Sequence, residues 1–323
     1  MRKDAVYNRP EITTIQGYHG GDFKQLTAYV SDRKLKMDDD YTVSADNTDA
    51  ILKLYKVGEH LPLIGIELEN HDGTEKFDPY HNPQDALIYT NLLNLIFEKA
   101  GFDPDFFKTE KDCTVSAECI TQTFSFSWLR NHYVTFKAMW ELFRAFGITT
   151  NHPSVGMHVN LDLANFGKDR ETQIDNVRKL GYFINKNYDL CKTLFNRVYS
   201  TMYCPKMNDS KEYWKTTETY RFPISHSGCC INMGHLDESR VEIRLVGGQK
   251  DYACFRNTME TIYHLINAIC KLSWDDIDDL FKVFKGCNNY VDSRLERAVN
   301  ENRLSRDVYT KIHATMKPAK FTV

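Results

Sequence analysis

The chain has 323 residues, 42% hydrophobic and 26% charged, and its 41 Lys and Arg against 44 Asp and Glu give a formal charge of −3. That length supports one large domain or two small ones around a substantial core, with the composition of an ordinary soluble globular protein. The near-balanced charge makes no electrostatic case for a nucleic-acid partner, and the absence of a run of 18 or more apolar residues argues against a membrane-spanning helix.

The N-terminus, MRKDAVYNRPEITTIQ, lacks an apolar h-region and does not read as a signal peptide. The nine cysteines form no CxxC pair and read as reduced thiols of a cytoplasmic protein, most of them serving as small buried hydrophobes. Residues 1–60, with the acidic patch DDD at 38–40, show weak periodicity and read as an N-terminal extension. LIGIELE (63–69) alternates, with Ile64, Ile66 and Leu68 on one face and Gly65, Glu67 and Glu69 on the other. Asn82 as N-cap, Pro83 at the first helical position and Gly101 beyond the end predict a helix over 83–100. TVSAECITQTF (114–124) predicts a strand with Glu118 on the face opposite Cys119 and Thr121. Ser127 is a candidate cap for a helix that runs to about Phe146 and stops at Gly147.

SVGMHVNLDL (154–163) alternates again, placing Gly156, His158, Asn160 and Asp162 on one face. A helical region follows at about 169–196. The stretch 204–223, rich in Lys, Thr and Tyr, reads as an insertion or lid, whose Tyr203, Tyr213, Trp214 and Tyr220 are candidates for a pocket lining or for packing. CCINMGHL (229–236) and SRVEIRLVGG (239–248) predict two adjacent strands joined by a turn near Asp237, the second with Arg240, Glu242 and Arg244 on one face. A helix is expected over 251–272, and a polar helical tail from Trp274 as an appended bundle. The implied division is an extension (1–60), a main domain (61–272) and a helical appendage (273–323). Widely spaced strands alternating with helices of 15–20 residues argue for an α+β domain, a sheet with helices on its outer face. The glycine-rich nucleotide motifs G-x-G-x-x-G and G-x-x-x-x-G-K-[ST] are absent.

Four predicted strands thus each carry unusual polar groups on one face: Glu67 and Glu69, Glu118, His158 and Asn160, and Arg240, Glu242 and Arg244. Alone, each has an ordinary explanation as a solvated strand edge or a surface ion pair. Together they match a metal–triphosphate site. Same-face neighbours lie roughly 6.6–7 Å apart, carboxylates suit Mg²⁺, an imidazole is also accepted by Mn²⁺, and guanidinium groups suit phosphate oxygens. Alternation says which side each residue takes, and leaves open whether the sides meet.

GIELE, the D-x(5)-E of DCTVSAE (112–118), GMHVN, and VEIRL resemble in order the motifs of the amidoligase family, related to glutamine synthetase and γ-glutamylcysteine synthetase. FNRVYSTMYC (195–204) and the Asn-bearing CINMGHL add to the likeness, which spans about 63–270; the family's frequent H-x-H reads here His158-Val159-Asn160. The resemblance implies a curved, mainly antiparallel sheet like the glutamine synthetase catalytic domain. It further implies Glu67, Glu69, Glu118, His158 and Glu242 as metal ligands, with Asp112 in the same unit as Glu118. Arg240, Arg244 and Asn160 would contact the nucleotide, and Arg244 would steady the transferred phosphoryl group. His158 could serve as ligand or phosphate contact, and Arg197 would hold a substrate carboxylate or a phosphate. The implied chemistry is ATP-dependent carboxylate–amine ligation with Mg²⁺ or Mn²⁺, on small-molecule or peptide substrates, with neither nucleic acid nor membrane involved. Another metal- and ATP-dependent phosphotransfer, or a non-catalytic binding module, would use the same scaffold. Cys229 and Cys230 read as inert buried thiols. Substrate identity and oligomeric state leave no trace in the sequence.

Overall fold

The computed structural model describes residues 35–37, 43–45, 62–72, 83–99, 106–110, 115, 117–121, 123–145, 147–198, 204–216, 229–234, 236 and 239–319. Its strands are β1 (Leu35–Met37), β2 (Val43–Ala45), β3 (Leu63–Asp72), β4 (Phe107–Glu110), β5 (Ala117–Thr121), β6 (Phe124–Ser125), β7 (Ile148–Thr149), β8 (Met157–Asp162), β9 (Ile231–Asn232) and β10 (Arg240–Ile243). Its helices are α1 (Pro83–Lys99), α2 (Phe126–Asn131), α3 (Tyr133–Ala145), α4 (Arg170–Lys186), α5 (Tyr188–Leu194), α6 (Lys211–Thr216), α7 (Tyr252–Ile269), α8 (Leu280–Phe284), α9 (Asn289–Asn300) and α10 (Arg306–His313). The strands pair antiparallel in the order β1-β2-β4-β5-β3-β8-β10-β9, with β6 and β7 also pairing with β3. The protein is therefore α+β with an open antiparallel sheet.

One face of the sheet is apolar. Ile64, Ile66, Leu68, Cys119, Met157, Val159, Leu161, Val241 and Ile243 are each at most 2% exposed. They join a single hydrophobic cluster with Leu93 and Phe97 of α1, Phe136 and Phe143 of α3, Leu180 and Phe183 of α4, and Ile262 and Leu265 of α7. Each fully buried aliphatic side chain contributes roughly 1.5–3 kcal/mol, so this face fixes which side of every strand turns inward. The alternation read from β3, β8 and β10 is the local expression of that constraint.

Several local features differ from the sequence reading. The helix expected from Ser127 begins one cap earlier: Ser125 Oγ accepts from the Trp128 N–H at 3.0 Å. It breaks at His132, whose backbone (φ −125°, ψ 16°) is not helical, and Gly147 beyond α3 takes φ 68°. The region 169–196 is capped by Asp169 and breaks at Asn187 into α4 and α5. The strand expected at 229–236 is confined to Ile231–Asn232. Asp162 leaves the polar row to cap the 3-10 turn Leu163–Phe166, accepting from Ala164 N at 2.7 Å. Trp214 is fully buried and lies against Gly181 of α4, so this part of 204–223 is anchored in the core. Tyr203, Tyr220, Asn82, Phe146, Asp237, Asp112 and the patch at 38–40 lie outside the described residues.

The helical tail shares the main core. Val283, Phe284, Leu295 and Ile312 belong to the same cluster as the sheet, and α9 packs on α7 and on α5. No helix among the described residues is long and apolar enough to cross a membrane.

Candidate metal centre

The other face of the sheet carries the polar row, and register decides that its members meet. Antiparallel pairing sets Glu67 opposite His158, Gly65 opposite Asn160, Glu69 opposite Glu118 and Glu242 opposite Asn160. Directly opposed residues in such a pair share a face. All the strand-borne candidates therefore lie on one surface: Glu67, Glu69, Glu118, His158, Asn160, Glu242, Arg240 and, one residue past the end of β10, Arg244.

His158 is the hub. Its Nδ1 lies 3.1 Å from Glu67 Oε2, 3.3 Å from Glu242 Oε1 and 3.8 Å from Glu118 Oε1, and its Nε2 lies 3.4 Å from Glu69 Oε1. Asn160 Nδ2 donates to Glu67 Oε1 at 2.6 Å, and Arg240 donates to Asn160 Oδ1. Glu242 is 3% exposed and accepts from Asn232 Nδ2 at 2.9 Å and from Arg244 Nη1 at 2.7 Å. Glu69 accepts from the backbone N–H of Gly156.

Burial pushes the Glu67 carboxyl upward, but hydrogen bonds from His158 and Asn160 and the charges of His158 and Arg240 outweigh it and hold Glu67 at about 2. Burial lowers the His158 imidazole, but its bond to Glu67 and the charges of Glu69 and Glu242 override that and Arg244's opposition, leaving it raised.

Two groups of three present one ligand atom each with all three atoms within 4.8 Å: Glu67, His158 and Glu242, and Glu69, Glu118 and His158. These donors fit Mg²⁺ or Mn²⁺, which take carboxylate oxygens and, for Mn²⁺, imidazole nitrogen. A neutral imidazole offers one lone-pair nitrogen and one N–H. His158 can therefore ligate in only one of the two groups at a time, its other nitrogen donating to a carboxylate of the other group.

Arg197 comes from outside the sheet, in the corner after α5, and is 6% exposed. Its Nη1 donates to Val246 O at 3.2 Å, and a Cβ built on Gly156 would lie 2.8 Å from that Nη1 and 3.1 Å from Glu69 Oε2. Arg197 and Glu69 thus share the space that Gly156 leaves free. We expect Gly156→Ala to leave stability within about 1 kcal/mol, because what it crowds are ends of flexible side chains. The same change should weaken Mn²⁺ binding about tenfold by displacing Glu69. Calorimetric titration alongside a thermal melt checks both halves.

All nine candidate residues converge. What the sequence reading did not anticipate is the backbone N–H of Gly156 as a partner of Glu69; a glycine on the polar face of β8 was its only trace. The eight described cysteines form no disulfide with one another. Burial pushes Cys229 up to about 11 and Cys230 to about 12, which leaves both as unreactive thiols.

Fold and site together define an α+β protein whose antiparallel sheet bears, on the face away from the helices, a cluster of carboxylates around one histidine with arginines beside it. No protein-family model, no curated protein and no solved structure matches the chain.

Proposed function

We propose that the protein is an ATP-dependent carboxylate–amine ligase, an amidoligase with a fold like the glutamine synthetase catalytic domain. The observation that carries this reading is the meeting of Glu67, Glu69, Glu118, His158 and Glu242 with Arg240 and Arg244 on one sheet face, and the approach of Arg197 to Glu69 from the corner after α5. Carboxylates to hold divalent cations, set beside guanidinium groups to hold anionic oxygens, are what a metal–triphosphate complex requires. The resemblance of GIELE, GMHVN and VEIRL to amidoligase motifs gives the reaction class.

Mg²⁺ or Mn²⁺ held by the five ligands would neutralise charge on the phosphates. With a cation held at Glu242, Arg244 would be free to turn its guanidinium to the transferred phosphoryl group, and Arg197 would hold an anionic group beside Glu69. A substrate carboxylate oxygen bonds the γ-phosphorus as the bond to ADP breaks, giving an acyl phosphate. The amine nitrogen then bonds the acyl carbon, inorganic phosphate leaves with the C–O electron pair, and the amine loses a proton. The nucleophiles belong to the substrates, so no serine or cysteine triad is called for.

Hydroxylamine stands in for the amine in the test. The protein is incubated with MgATP, a pool of amino acids and small carboxylic acids, and hydroxylamine, and both ADP and hydroxamate are measured. Stoichiometric ADP and hydroxamate support ligation. ADP with a phosphorylated acceptor and no hydroxamate moves the assignment to a phosphotransferase. No acid-dependent ADP at all sinks the catalytic reading.

A further inference from the structure

We infer that helix α9 of the C-terminal tail is part of the site, acting through Asn196 to hold Arg197 in place. Arg294 and Arg297 are its positioning residues. The inference rests on the reading that Arg197 meets phosphate beside the Glu69–Glu118–His158 group.

The corner after α5 has the hydrogen bonds of a Schellman motif: Arg197 N–H donates to Lys192 O at 2.7 Å and Asn196 N–H to Thr193 O at 3.2 Å. Asn196 takes φ 58°, the left-handed conformation usual at that position for Gly and tolerated by Asn. Backbone geometry alone therefore does not call for asparagine. Its side chain does separate work. Asn196 Nδ2 donates to Gly248 O at 2.9 Å, while Oδ1 accepts from Arg297 Nη1 at 2.8 Å and Arg294 Nη1 at 3.3 Å. Two elements thus grip the residue that precedes Arg197: the segment after β10, and α9 through two successive turns.

Arg294 is costly for a purely structural role. It is 5% exposed, its acceptors are Asn196 Oδ1, Cys254 O, Cys254 Sγ and Thr258 Oγ1, all neutral, and its Nε has no partner. A buried guanidinium without a carboxylate is stabilised less than an apolar side chain of the same volume would be. Arg297, by contrast, is anchored to Glu301, which also accepts from Thr193 of α5. The two arginines converge on one oxygen, and that oxygen belongs to the neighbour of the site's buried cation. Loss of the grip leaves the corner's backbone formed and lets the Arg197 guanidinium drift from Glu69 and Gly156. The metal groups themselves, all on the sheet, stay as they are.

The test measures Mn²⁺ and then MnATP binding by calorimetry on the full chain, for wild type, Asn196→Gly, Arg294→Met, Arg294→Lys and Arg197→Met. Asn196→Gly keeps the left-handed corner at little cost, so it remains informative if Arg294→Met fails to fold. We expect Asn196→Gly, Arg294→Met and Arg294→Lys to bind Mn²⁺ within about twofold of wild type. MnATP affinity should fall about tenfold in Asn196→Gly, Arg294→Met and Arg197→Met alike, with partial recovery in Arg294→Lys. Normal MnATP binding in Asn196→Gly and Arg294→Met beside a loss in Arg197→Met overturns the role of α9. So does unchanged MnATP binding in Arg197→Met. If wild type takes up neither Mn²⁺ nor MnATP, the site reading itself fails, a result distinct from the other two.

Discussion

Glu67→Gln should abolish most divalent-cation binding while leaving the metal-free protein folded. Glu67 is the carboxylate closest to His158, at 3.1 Å, and one of three donors in the group with Glu242. Glutamine keeps an oxygen to accept from Asn160, so the local hydrogen bonding survives the loss of charge. A neutral amide oxygen is a far poorer ligand for Mg²⁺ or Mn²⁺ in this low-dielectric setting, and Mn²⁺ affinity should drop on the order of a hundredfold. In wild type, Mn²⁺ at one hundred times its dissociation constant should stabilise the fold by about 2.7 kcal/mol. The variant at the same concentration should gain well under half of that. Equal thermal stabilisation of both proteins by Mn²⁺ would place the bound ion elsewhere and remove Glu67 from the centre. Glu242→Gln offers a contrast. Its carboxylate is buried and accepts from both Asn232 and Arg244, so that variant should lose stability as well as metal.

Gly247→Ala and Gly248→Ala should each destabilise the fold by about 3 kcal/mol or more, the upper end of the range for overpacking. A Cβ at Gly247 would lie 2.2 Å from Asn196 O, and one at Gly248 would lie 2.0 Å from Thr150 O. Both obstacles are backbone atoms, which cannot swing aside as a side-chain end can. Gly247 N–H also donates to Phe195 O at 3.1 Å, so the strand that leaves the site and the corner that bears Arg197 are in direct main-chain contact. Separating them shifts Arg197 together with its backbone. A fall in the urea midpoint with unchanged slope is the expected signature. A midpoint within experimental error of wild type for both variants would mean that the close approach relaxes freely.

Much of the site was legible in the chain, and for a specific reason. Strand side chains alternate with period two, so an apolar set at Ile64, Ile66 and Leu68 commits Glu67 and Glu69 to the opposite side. The same logic covers His158 and Asn160 against Met157, Val159 and Leu161. Shorter-range detail was less secure. Ser125 and Ser127 are both competent caps, and the choice of Ser125 is made where β6 ends against β3. The breaks at His132 and Asn187 have no proline or glycine at them, and Gly181, the glycine within the second region, sits inside α4.

The sequence by itself determined the composition of the polar face, the apolar side that opposes it and the α+β order of elements, because these follow from local periodicity and turn chemistry. Tertiary structure alone decided the rest. Only pairing between distant segments sets Glu67 across from His158 and Glu69 across from Glu118. Only close approach across Gly156 and Gly247 brings Arg197, from a helix end, beside Glu69. The grip of Arg294 and Arg297 on Asn196 spans about a hundred residues of chain, and no local pattern encodes a contact whose two halves are joined only once the core between them has formed.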